Sequence, residues 1–123
     1  MNYLTDRKRA EGMGSGHQGT HYHWQMMVSS TALVFLVPAF VITFGLGLGG
    51  TYEEVLAYYS RPVPAIITAL TLVAGILHLM HETEVAIEDY VHGTAGKLTL
   101  MACKAFSYSL IIAGLFALVK LAL

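Results

Sequence analysis

The chain predicts an all-α integral membrane protein with three transmembrane helices, and three observations carry that prediction. Of its 123 residues, 55% are hydrophobic and only 12% charged, against about a quarter charged in an ordinary soluble domain. The charges gather in Asp6–Glu11, Glu53–Arg61 and Glu82–Lys97, leaving long neutral gaps. Each gap is long enough to cross a bilayer. With a net charge of −1, nothing on the chain draws it to nucleic acid, and no nucleic-acid partner is expected.

The first helix is expected at about 24–48. Trp24 to Gly50 holds no Asp, Glu, Lys or Arg. Its roughly 23 strongly apolar positions reach about 34 Å at the helical rise, enough for a hydrocarbon core near 30 Å. Tyr22 and Trp24 mark its entry as interfacial aromatics do. Pro38 lies within it, which membrane helices tolerate, with a kink where the freed carbonyl demands one. Gly45, Gly47, Gly49 and Gly50 close it. Gly45-x-x-x-Gly49 reads either as a helix-contact motif or as a glycine-rich exit.

A loop with Tyr52, Glu53, Glu54, Tyr58 and Tyr59 suits a short interfacial helix. The second span is expected at 62–90. Pro62 and Pro64 fit its first turn, where a missing N–H costs little. Its apolar run, Pro62 to His81, covers about 30 Å. Without a breaker before Gly93, the helix should project past the membrane to Tyr90. The third span is expected at 98–122, where Lys104 and Lys120 bracket a neutral stretch and can snorkel to opposite headgroup layers. Residues 1–23 form a polar N-terminal segment with Gly12, Gly14, Gly16 and Gly19 interleaved with His17, His21 and His23. Such a stretch does not fold alone and should lie against a partner or the headgroups. All of this fits one membrane domain, 1–123.

No signal peptide is expected: Arg7-Lys8-Arg9 stands too far from an apolar run that is itself too long. With the N-terminus cytoplasmic, Arg7, Lys8, Arg9, Lys97 and Lys104 fall inside, and Arg61 and Lys120 outside. The positive-inside rule thus favours a cytoplasmic N-terminus and a periplasmic C-terminus. The lone Cys103 has no disulfide partner in the chain and no metal-ligand spacing.

The chemistry concentrates at the end of the second span. His78 is the sole ionisable residue in the run Pro62 to Met80. An ionisable group at that depth needs a task or a partner, and imidazole is a common ligand for transition metals and haem iron. Ligation and a hydrogen bond to a neighbouring helix are both open. His81, one turn on, is a rival ligand, although Glu82 beside it favours a solvated position. At about 100° per residue, Asp89 returns to within about 20° of His78, and Tyr90 lies about 120° round and about 18 Å further along. By itself Tyr90 reads as an interfacial anchor or as part of a site at the membrane surface.

His78, eleven intervening residues, then Tyr90 in Glu88-Asp89-Tyr90-Val91-His92-Gly93 resemble the small membrane-anchor subunit of succinate dehydrogenase, the haem b-containing respiratory complex II. Gly14-Ser15-Gly16, Gly19-Thr20-His21, Trp24-Gln25 and Thr31-Ala32 are similar to that family's approach to its first helix. The resemblance runs from Gly14 to Lys97.

It implies that His78 ligates the iron of haem b, the second ligand coming from a second membrane-anchor (cytochrome b) subunit. It implies that Tyr90 and Asp89 help form a ubiquinone site. It further implies an iron–sulfur subunit and a flavoprotein subunit as partners, which would carry the iron–sulfur clusters and FAD, with succinate oxidised there and not on this chain. A bacterial inner membrane is the expected location, in preference to a mitochondrial one.

One departure stands out: many family members carry an arginine, close to the haem propionates, where this chain has Ser29. His23, His21 and Ser29 are therefore the expected propionate contacts, His23 first, unless a partner arginine serves. Glu82, Glu84 and Glu88 are expected on a solvated face. A quinol:fumarate reductase anchor, running the opposite reaction, and a cofactor-free scaffold or transport subunit are the competing readings.

Overall fold

The computed structural model describes residues 3–14, 16 and 19–123. Ser15 and His17 of the glycine-rich approach lie outside the described residues. The elements are α1 (Asp6–Glu11), α2 (Gly19–Gly47), α3 (Tyr52–Tyr59), α4 (Pro62–Tyr90) and α5 (Gly93–Ala122). There is no strand among the described residues, and α2, α4 and α5 are long and apolar enough to cross a membrane.

Helices α2 and α5 each begin five residues before the expected starts of 24 and 98. Hydropathy marks where charge stops, whereas helical hydrogen bonding continues through polar residues such as His21, His23 and Lys97. The N-terminal segment departs further from expectation, because α1 is a helix. Thr5 caps it by accepting from the Lys8 N–H at 3.1 Å, and Arg7 Nε meets Glu11 Oε1 at 2.9 Å. Those local contacts are enough for a turn and a half without burial.

α4 is the middle helix. It packs on α2 along one side and on α5 along the other, while α2 and α5 have no contact among the described residues. The three long helices therefore form a row one helix thick, antiparallel at each seam. Tyr22 near the start of α2 meets His81 near the end of α4, and Glu84 near that end meets Lys104 of α5.

A row has no enclosed core. No large side chain is fully buried, and Thr43, Glu84 and Ser107 are among the few buried residues while Phe35, Leu46, Ile112 and Phe116 face outward. Apolar outside and small or polar inside is what a lipid-facing layer requires, since lipid gives no hydrophobic drive between helices. Exposed hydroxyls satisfy themselves on the preceding turn, as Thr31 does on the Met27 carbonyl at 2.9 Å and Thr83 on Leu79 at 2.7 Å.

The α2–α3 connection resolves the glycine question. Gly49 has φ 84°, the left-handed geometry of a helix exit, and a Cβ on Gly45 would meet nothing. Gly45 and Gly49 thus form no contact within this chain. Gly47 does admit a neighbour, since a Cβ there would fall 2.9 Å from Tyr58 Cε1, as does Gly114 of α5, where one would fall 2.5 Å from Leu72 Cδ2.

Candidate functional site at the α2–α4 seam

Ser29 lies ten residues after Gly19 in α2, and His78 lies twelve before Tyr90 in α4. The antiparallel seam therefore brings them level. Ser29 Oγ stands 2.9 Å from His78 Nδ1 and 3.0 Å from the Met26 carbonyl oxygen. The His78 side chain is 20% exposed, turned toward α2 and not toward lipid alone. Its other nitrogen, Nε2, has no hydrogen-bond partner among the described residues; Glu82 Oε1 at 3.8 Å is too far for one.

His81 is not solvated as expected. Its ring stacks on Tyr22 with centroids 5.2 Å apart and planes 7° from parallel, and its backbone carbonyl accepts the Tyr22 phenol at 2.9 Å. Its Nδ1 is buried without a hydrogen bond. One ring face of the rival ligand is thus covered by Tyr22.

Glu84 also departs from expectation. It is only 7% exposed, enclosed between α4 and α5, with Oε1 3.5 Å from Lys104 Nζ. That contact is ionic and too long to be a hydrogen bond, so the carboxylate oxygen has an opposite charge nearby but no donor. Glu82 and Glu88 are exposed as expected. A lone lysine in an apolar span, with a glutamate near the adjoining helix end, was the available sign of this pair.

His21 and His23 are exposed. His23 borders an open hollow of about 600 Å³ together with Tyr22, Met26, Met27, Ser30, Thr31, Glu82 and Val85, on the same seam as His78. Asp89 and Tyr90 stand at the end of α4, Tyr90 85% exposed, and neither side chain hydrogen-bonds another described residue. The uninterrupted helix between His78 and Tyr90 keeps them about 18 Å apart along its axis.

No group of three or more His, Cys, Asp or Glu suited to a metal ion occurs among the described residues. A haem iron makes no such demand, because its macrocycle supplies the equatorial nitrogens and the protein only axial ligands. One half-buried imidazole with an unengaged nitrogen fits half of a bis-imidazole site.

Comparisons with known proteins identify the family. Residues 1–119 match the family described as succinate dehydrogenase/fumarate reductase transmembrane subunit. A succinate dehydrogenase hydrophobic membrane anchor subunit from Paracoccus denitrificans is 42% identical over 123 residues, covering 100% of this chain and 95% of the relative. One from Rickettsia bellii (strain RML369-C) is 26% identical over 111 residues, covering 89% of this chain and 88% of the relative. No solved structure gave a significant match. With three apolar helices, a family match across nearly its whole length and a relative this similar, the chain belongs to the succinate dehydrogenase/fumarate reductase transmembrane subunit family, among the succinate dehydrogenase membrane anchors.

Proposed function

We propose that this anchor serves a succinate:ubiquinone oxidoreductase, that His78 supplies one axial ligand to a haem b shared with a second anchor subunit, and that Tyr90 and Asp89 contribute to ubiquinone reduction. The observation that carries the reading is the state of His78: one nitrogen engaged by Ser29, the other unengaged, in an apolar layer. A polar atom left without a partner in such surroundings is costly. Coordination by iron removes that cost.

When bound, haem b supplies a one-electron store near the route from the iron–sulfur subunit to quinone. The chain's own part is to orient His78 and to hold the ring at the seam. At the far end of α4, the Tyr90 phenol donates a hydrogen bond to a quinone carbonyl oxygen, stabilising the negative charge that develops there on reduction. Asp89 orients that phenol or passes a proton. The exposure of Tyr90 leaves the remaining walls of the pocket to the iron–sulfur and second anchor subunits, while FAD and the iron–sulfur clusters belong to partners.

The basic residues Arg7, Lys8, Arg9, Lys97 and Lys104 support a cytoplasmic N-terminus and a periplasmic C-terminus, in a bacterial inner membrane. Asp89 and Tyr90 then meet the soluble subunits. His23 and His21 flank the same entry and are available to the propionates. Because the matched family also includes fumarate reductase subunits, the reverse reaction is the second reading, and the potential of the quinone decides between them.

The test is a reduced-minus-oxidised spectrum of the purified complex. A b-type haem band is expected. Its absence would favour a cofactor-free scaffold and end the ligand role of His78.

A further inference from the structure

The geometry points to Ser29 as the residue that sets the tautomer of His78, a positioning role rather than a contact to propionate. The inference rests on the haem-ligand reading above. A serine hydroxyl carries one proton and two lone pairs. Ser29 Oγ lies 3.0 Å from the Met26 carbonyl oxygen, which can only accept. A hydroxyl proton given to Met26 leaves a lone pair for His78 Nδ1 at 2.9 Å, and with Nδ1 as the N–H donor both contacts are hydrogen bonds at once.

A neutral imidazole with its proton on Nδ1 carries its lone pair on Nε2, which is the nitrogen without a hydrogen-bond partner. The chain Nδ1–H to Ser29 Oγ–H to Met26 carbonyl thus presents Nε2 in the form a metal requires. The opposite tautomer would put a proton on Nε2, from which Glu82 Oε1 is 3.8 Å away and out of range. It would also break the bond to Met26.

The same count removes Ser29 from the propionate contacts, because its only proton is already given. The hydroxyl acts on the imidazole instead. Such a partner makes a ligating imidazole more basic, which favours the oxidised iron. Ser29 is half-buried, so the bond is partly shielded from water and keeps its strength.

The experiment uses the complete complex with Ser29→Ala and Ser29→Thr, reading haem content, the ferric haem's electron paramagnetic resonance signal and its midpoint potential. Ser29→Ala should keep at least part of the haem, move the signal and raise the potential. Ser29→Thr retains the hydroxyl and should return both toward the wild type. An Ala variant indistinguishable from wild type would overturn the inference while leaving His78 as ligand. Equal shifts in Ala and Thr would overturn it as well, since size and not the hydroxyl would then be responsible. A wild-type complex without b-type haem would instead overturn the ligand reading itself.

Discussion

Around α3 the chain satisfies most of its own polar groups, the buried Thr68 Oγ1 excepted, whereas around His78 it leaves several unmet. Thr51 and Glu54 close a reciprocal capping box on α3, the Tyr58 phenol donates to the Thr43 carbonyl at 2.6 Å, and the Arg61 guanidinium sits 5.2 Å above the Tyr58 ring. Gly47 lets that ring lie against α2. At the opposite end of the row, His78 Nε2, His81 Nδ1 and Glu84 Oε1 have no hydrogen-bond donor or acceptor, and Asp89 and Tyr90 stand exposed. One short chain thus carries a more nearly finished end and an unfinished one, judged by how completely their polar groups are partnered.

Substitutions at the two ends should therefore fail in different ways. The largest effect is expected from His78→Ala, which should abolish the b-type band of the assembled complex, while His81→Ala should retain it with some loss of stability. Retention of the band in His78→Ala would move the ligand to another histidine. Next is Tyr90→Phe, which removes a hydroxyl and nothing else. Quinone reduction should fall by on the order of 10²-fold, the usual cost of one donor to a developing oxyanion, with reduction of a soluble dye unchanged. Normal quinone turnover would leave Tyr90 as an interfacial anchor.

At the finished end, Gly47→Ala should leave the haem spectrum intact and lower the thermal stability of the complex by about 1–3 kcal/mol through overpacking against Tyr58. A spectral change there would mean that the two ends are coupled. The smallest effect belongs to Glu84 and Lys104. A double-mutant cycle with Glu84→Gln and Lys104→Met should give a coupling of about 1 kcal/mol, reduced because the lysine is more than half exposed. A coupling near zero would make the 3.5 Å contact incidental.

Much of the architecture was legible before any contact was known. Charge gaps locate three spans, Pro62 and Pro64 locate the start of α4, and the absence of a breaker before Gly93 predicts its length. His78 was legible as a solitary ionisable group, but its partner was not. The departure at Ser29 stood out as a missing cation, yet nothing local says that the hydroxyl lies beneath the imidazole. Glu84 was misread because a glutamate among other acids near a helix end looks solvated, and the face it turns to α5 depends on how the helices rotate. His81 was misread for the same reason, its position beside Glu82 hiding the stack on Tyr22.

By itself, the sequence determined which segments enter lipid and which side chains are chemically able to serve there, since both depend on composition summed along a helix and on residue identity. Only the tertiary structure decided that the spans line up in a row around α4, that Ser29 meets His78 and that Glu84 is enclosed. Those outcomes turn on helix rotation and register, which in an apolar layer are selected by close packing between specific faces.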